Sequence, residues 1–126
     1  MKKLLVTLFA SVVATAPVSA ETQDYQLLTV AGYLNFYLLN INACQDYHPV
    51  VRQEAYLAEA QLYPWLEKLE QKLGDNKATV AAVVQSRREA LNQQIAEGEF
   101  SADHCRAVVK LLSGDGLDKT LLQILN

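Results

Sequence analysis

Two cysteines at distant positions place the strongest single constraint on the fold of this chain. Cys44 and Cys105 are the only cysteines among its 126 residues. In a chain that is exported from the cytosol, an even number of cysteines favours a disulfide. Such a bond requires Cα atoms within about 7 Å, so the fold must bring two distant segments together. The bond would stabilise the folded state by at most ~4 kcal/mol.

The first twenty residues predict that export, because they have the three-part layout of a cleaved secretory signal. Lys2 and Lys3 form a positive start, residues 4–14 form an apolar run, and residues 17–20 are small enough for a signal peptidase. The run is too short for a stable membrane anchor, and no cysteine follows it for lipid attachment. We expect residues 1–20 to be removed and residues 21–126 to form a single helical domain, periplasmic or secreted.

The mature chain is predicted to be acidic. Without Lys2 and Lys3 it has 9 basic and 14 acidic side chains, a net charge of −5 (9 − 14) with neutral histidines. The two signs are interspersed, and no basic stripe occurs. This distribution opposes a nucleic acid or an anionic membrane surface as the partner.

The spacing of the apolar residues predicts an all-α fold. Glycine and proline are scarce, and no alternation with a period of two residues occurs. Pro49 suits a first helical position, Gly74 and Gly98 suit helix ends, and Ser101 suits an N-cap. We predict an up-down-up-down four-helix bundle with a short fifth C-terminal helix, stapled by one disulfide. The predicted helices span residues 24–44, 49–73 with a kink at Pro64, 77–97, 101–114 and 117–125.

The first predicted helix is apolar on most of its circumference. No charged residue occurs between Asp24 and Asp46. A helix of this kind is usually the central and most buried one. A membrane span is the alternative, but the polar side chains of Gln26, Asn35 and Asn40 oppose it.

Helix lengths give a second reason to pair the cysteines. The second and third predicted helices are about 25 and 21 residues long, so they rise and return by similar distances. The start of the fourth helix therefore meets the end of the first, where Cys44 and Cys105 can form a disulfide.

Two histidines beside the cysteines raise the alternative of a metal site. His48 follows Cys44 by four residues and His104 adjoins Cys105, a ligand set that suits zinc. Adjacent side chains on a helix point about 100° apart, so His104 and Cys105 cannot easily bind one ion. Export also favours oxidation. We therefore predict a disulfide, with no metal and no other cofactor.

Motifs that would indicate an enzyme are absent from the sequence. It contains no Cys-x-x-Cys pair, phosphate loop, nucleophile elbow or zinc-protease helix. Glu67 and Glu70 are accompanied by Lys68 and Lys72, as on a solvated helix face. We predict a protein without enzymatic activity.

A second apolar face on the first predicted helix is the candidate partner-binding site. Leu28, Phe36 and Leu39 lie opposite the main apolar stripe, where a simple bundle would place polar residues. Tyr33 and Tyr37 lie one turn apart on the same helix, and tyrosine is favoured at binding surfaces. A second subunit or a partner protein could cover this face. We favour the final helix as its cover, through the apolar side chains of Leu117, Leu121, Ile124 and Leu125.

These inferences together predict a small exported helical protein that binds another protein. Immunity proteins, chaperones and accessory proteins of secretion machines share this outline of a signal, long helices and one disulfide. A small apolar ligand held between the helices is the alternative, and a homodimer is a further option. An internal cavity of several hundred Å³ would favour the ligand, whereas a closed core with an exposed apolar strip would favour a protein partner.

Overall fold

Helices make up most of residues 20–126, the part of the chain that the computed structural model describes. The α-helices, numbered α1 to α6, are Ala20–Tyr47, Arg52–Glu59, Tyr63–Leu73, Lys77–Ala96, Ala102–Lys110 and Lys119–Leu122. Helical turns of other types occur at Pro49–Val51, Gly74–Asn76, Leu111–Asp115 and Gln123–Leu125. No strand occurs among the described residues, so the all-α prediction is confirmed. Residues 1–19 of the predicted signal peptide lie outside this description.

Helix α1 is the central helix of the domain, as its sequence predicts. Val30, Leu34 and Ile41 are fully buried on it, and α2, α4 and α5 all pack against it. Burial of each such side chain stabilises the fold by roughly 1.5–3 kcal/mol relative to exposure. These residues are four and seven positions apart, and this spacing places them on one side of the helix.

The same helix contains a stretch that is long and apolar enough to cross a membrane. This stretch is Gln23–Tyr47, with a mean hydropathy of 1.2, and half of it is buried against other helices. The amides of Asn35 and Asn40 donate hydrogen bonds to the carbonyl oxygens of Ala31 and Phe36, one turn earlier. Within the described structure, the apolar character of α1 therefore serves the core of the domain.

The second predicted helix is two helices, so the prediction of one kinked helix is wrong. Residues 60–62 form a turn between α2 and α3. Its hydrogen bonds, from Gln61 N–H to Ala58 O and from Leu62 N–H to Glu59 O, span three residues instead of the four of an α-helix. Pro64 has no N–H to continue the helix and sits instead in the first turn of α3, where none is needed. The buried stripe still continues through the break, from Val51 to Leu73.

Helix α4 is attached to the domain on one side only. It packs along α1, and within residues 20–126 it makes no extensive contact with α2, α3 or α5. Val80 and Leu91 are its buried residues, while most of its other side chains are exposed. A ring of four helices would bring α4 against α5 as well, so the described contacts do not establish the bundle arrangement.

The predicted disulfide is confirmed. Cys44 near the end of α1 is bonded to Cys105 in α5, with their Cα atoms 5.6 Å apart. Local sequence sets the start of α5, because Ser101 Oγ accepts a hydrogen bond from the His104 N–H at 3.1 Å. Phe100 and Cys105 are both buried, at the two positions of a hydrophobic staple around this cap.

Helix α4 begins without a side-chain cap. Asn76 precedes the helix, but its backbone is already helical and its side chain makes no cap hydrogen bond. The Asn76 amide instead donates to Asp24 Oδ1 at 3.2 Å. The turn Gly74–Asn76 leads directly into α4, so a separate cap is not used there.

The final segment packs against α1 and α3. Asp118 caps α6 by accepting a hydrogen bond from the Leu121 N–H. Leu122 and Leu125 are its buried residues, and of these the predicted apolar face contains only Leu125. The difference arises because α6 is one short turn followed by a tighter turn, so the spacing of a continuous helix does not apply.

Candidate functional site

Three aromatic side chains lie side by side on α1. The rings of Tyr33 and Tyr37, and those of Phe36 and Tyr37, meet edge to face with centroids 5.2 Å apart. Burial raises the pKa of the Tyr37 hydroxyl above its ordinary value of 10.0, and the nearby Tyr33 hydroxyl raises it further. We call Tyr33, Phe36 and Tyr37 the α1 aromatic face.

The structure places the five predicted partner-binding residues at different depths. Leu28, Tyr33, Tyr37 and Leu39 are half-buried against the core. Phe36 is 39% exposed and is the most accessible of the five. A partner would therefore meet Phe36 first, with Tyr37 and Leu39 beside it.

The final segment does not enclose this face. The Tyr33 hydroxyl accepts a hydrogen bond from the Asp118 N–H at 2.8 Å, so the segment reaches one edge of the α1 aromatic face. The side chains that form a cleft with Phe36 and Leu39 come from α4 instead. The expectation that the final helix covers Phe36 is therefore wrong, and Phe36 keeps its exposure.

This cleft between α1 and α4 has a volume of about 120 Å³. We call it the Phe36 cleft. It is open to solvent. Apolar and polar side chains both line it, namely Phe36, Leu39, Asn40, Arg87, Ala90, Leu91 and Gln94.

Asn40 is the buried polar side chain of the cleft, and it is only 4% exposed. Its amide nitrogen donates to the Phe36 carbonyl oxygen at 2.9 Å. Its amide oxygen lies 2.8 Å from His104 Nε2 and accepts a hydrogen bond from that nitrogen. Both ends of the amide are thus engaged, and the contact ties α1 to α5.

Arg87 supplies the positive charge of the cleft. Its guanidinium lies against α1 at Gly32, where a Cβ would be 3.1 Å from Nη2. The absence of a side chain at Gly32 therefore allows the close approach. Among the described residues, no carboxylate forms an ion pair with Arg87.

The two histidines lie together beside the disulfide, around Phe100. The His48 ring stacks on Phe100 with centroids 5.6 Å apart, and the His104 ring meets Phe100 edge to face at 5.3 Å. His48 Nε2 donates to the Phe100 carbonyl oxygen at 2.8 Å. Both cysteine sulfurs are used in the disulfide, so neither can be a thiolate ligand for a metal shared with His48 or His104.

Five further large apolar side chains, which the sequence did not single out as contact residues, lie on α2 and the segments next to it. Each is more than half exposed, and Val50, at 67%, is the most exposed of them. We call this set the α2 outer face: Tyr47, Val50, Tyr56, Leu57 and Tyr63. The spacing of α2 could have revealed it, because these residues fall outside the buried stripe of Val51, Ala55, Ala58 and Leu62.

Comparison with known proteins gives no match. No protein-family model, no curated protein and no solved structure is significantly similar to the chain. Its function must therefore be inferred from its own residues and their geometry.

Proposed function

We propose that this chain is a small exported protein, periplasmic or secreted, that acts by binding another protein and has no enzymatic activity. The Cys44–Cys105 disulfide is compatible with export. The proposal includes removal of residues 1–20 as a signal peptide. It also includes an up-down-up-down arrangement of α1, the α2–α3 pair, α4 and α5. The bond between the end of α1 and the start of α5 supports that arrangement.

Large apolar side chains remain exposed although others fill the core, and this exposure supports a protein partner. Leu34, Ile41 and Leu62 are fully buried, whereas Phe36 and the α2 outer face remain accessible. Contiguous apolar patches are uncommon on monomers unless they bind something. Aromatic residues, tyrosine included, are enriched at protein interfaces.

We place the partner at the α1 aromatic face and its two flanking leucines. The proposed contact residues are Leu28, Tyr33, Phe36, Tyr37 and Leu39. Phe36 is the exposed anchor in this set, and anchors that fill pockets tend to dominate interface energetics. An apolar ligand in the Phe36 cleft is the weaker candidate, because this cleft is open and smaller than the roughly 300–1,000 Å³ of ordinary ligand pockets.

A pull-down with two matched variants tests the proposal. The tagged chain is incubated with an envelope extract of the cells that produce it, and captured proteins are identified by mass spectrometry. Phe36→Asp should abolish capture of the specific partner, because it places a charge in the apolar anchor position. Leu57→Asp makes the same chemical change on the α2 outer face and should retain the partner.

Other outcomes of the same experiment have defined meanings. Loss of the partner with Leu57→Asp but not with Phe36→Asp would move the interface to the α2 outer face. Failure of the unaltered chain to capture any protein above the level of an unrelated bait would contradict protein binding. Circular dichroism melting of each variant shows that a lost partner does not reflect a lost fold.

A further inference from the structure

The size of the Phe36 cleft limits what a partner can place in it. At about 120 Å³ it is too small for a drug-sized ligand. It has room for a single side chain of a partner. Side chains that insert into such pockets at the centre of an interface commonly supply most of the binding energy.

The lining of the cleft favours an apolar insert. Phe36 and Leu39 from α1 face Ala90 and Leu91 from α4 across it. The amide of Asn40, which also lines the cleft, is engaged with Phe36 O and His104. A polar group placed against the four apolar side chains would lose hydrogen bonds with water without replacing them, which is costly. The polar side chains of Arg87 and Gln94 also line the cleft.

Arg87 favours a negatively charged group on the partner, in addition to the apolar side chain. A guanidinium has five N–H donors and no acceptor, so its natural complement is a carboxylate, which it can bind through two parallel hydrogen bonds. No acidic residue lines the Phe36 cleft. The guanidinium lies close to α1 at Gly32, and Arg87 is exposed, so a carboxylate of a partner can reach it.

The next residue in sequence offers a contrast. Arg88 lines a different cleft, which Asp46 lines as well. Neither arginine forms an ion pair among the described residues, but the cleft of Arg88 contains a carboxylate. The charge of Arg87 lacks one among the residues that line its cleft.

We propose that the Phe36 cleft receives one apolar side chain of a partner protein, and that a carboxylate adjacent to that side chain pairs with Arg87. This inference rests on the proposed protein-binding function and specifies the chemistry of the partner. The partner segment is then amphipathic and acidic, with a residue such as leucine or phenylalanine next to aspartate or glutamate.

A random peptide library displayed on phage provides a probe that does not require the natural partner. Selection on the purified chain should enrich peptides that combine a bulky apolar residue with an acidic one. An enriched peptide is then synthesised with its carboxylate and with the corresponding amide. The affinity of both forms is measured for the unaltered chain, for Arg87→Gln and for Arg88→Gln, which is a double-mutant cycle with a matched control.

Loss of the carboxylate should weaken binding about tenfold for the unaltered chain and for Arg88→Gln. It should leave binding to Arg87→Gln nearly unchanged. Equal losses in all three proteins, enrichment of peptides without acidic residues, or no enrichment at all would overturn the inference. Dimerisation that Phe36→Asp abolishes would also overturn it, because a second copy would then occupy the cleft.

Capture experiments with the natural partner distinguish failure of this inference from failure of the proposed function. Capture that is lost with Phe36→Asp but unaffected by Arg87→Gln would refute the role of Arg87 and leave protein binding intact. Absence of any natural partner would refute the proposed function, while the peptide cycle would still measure the chemistry of the cleft.

Discussion

At the scale of single residues, Tyr37 shows how packing on α1 changes the chemistry of a side chain. Its ring contacts the rings of Tyr33 and Phe36 through edge-to-face geometry. Burial is the main cause of the raised pKa of its hydroxyl, and the neighbouring Tyr33 is the second. The folded chain therefore retains the Tyr37 proton at a pH where an exposed phenol has begun to ionise.

This difference predicts a pH dependence of stability. The stabilisation that comes from a protonated Tyr37 is fully present below pH 10.0, the ordinary pKa of the hydroxyl, and is lost as the pH rises through the higher pKa of the folded chain. The free energy of unfolding should therefore fall more steeply above pH 10 in the unaltered chain than in Tyr37→Phe. Chemical denaturation on either side of this pH measures the slopes. Tyr25→Phe alters an exposed tyrosine and is the control, so its slope should match that of the unaltered chain. Identical slopes in the unaltered chain, Tyr37→Phe and Tyr25→Phe would contradict the prediction.

At the scale of elements, local sequence signals explain four of the helix ends. Ser101 begins α5 through a side-chain hydrogen bond to the His104 N–H, and Asp118 begins α6 in the same way. Gly74 ends α3 with a φ of 52°, a value that favours glycine because it has no Cβ. Pro64 begins a new helix because a proline in the first turn sacrifices no hydrogen bond.

The Ser101 cap should contribute measurably to stability. Ser101→Ala leaves the His104 N–H without its acceptor and should lower the free energy of unfolding by about 1 kcal/mol. Ser86→Ala makes the same substitution at an exposed position inside α4, where alanine is a better helix former, and should be neutral or slightly stabilising. Urea denaturation followed by circular dichroism measures both. Equal effects of the two substitutions would show that the cap hydrogen bond is not what stabilises α5.

At the scale of the whole molecule, α1 is the element on which the other helices converge. The disulfide attaches α5 to its C-terminal end, while the final segment packs against it as well as α3. Within the described residues, the extensive contacts of α4 with another α-helix are those with α1. The Phe36 cleft lies between these two helices.

Removal of the disulfide should destabilise the entire domain. The double variant Cys44→Ala with Cys105→Ala should lose ~2–4 kcal/mol, which lowers the melting temperature by on the order of 10 °C or more. Alanine is chosen because both sulfurs are buried and serine would place hydroxyl groups there. Thermal melting measures the shift. An unchanged melting temperature, or two free thiols in the denatured unaltered chain, would contradict a stabilising disulfide.

The sequence by itself determined the helical class, the central position of α1, the cap at Ser101 and the pairing of Cys44 with Cys105. The helical class, the position of α1 and the cap follow from local periodicity and capping chemistry. The pairing follows from the even number of cysteines in a chain expected to be exported. Phe36 was also identifiable as a candidate contact residue, because it lies off the main apolar stripe of α1. Each of these inferences needs only residues on one helix, or a count of the cysteines.

Only the tertiary structure decided which helices meet and what remains open between them. Periodicity shows that α4 has an apolar side at Val80 and Leu91, but not that this side would pack mainly along α1. The approach of Arg87 to Gly32 and the exposure of Phe36 both depend on that choice. The physical reason is that the hydrophobic effect is non-directional: it requires each apolar face to be covered, and only the packing of all the helices together determines which neighbour covers it.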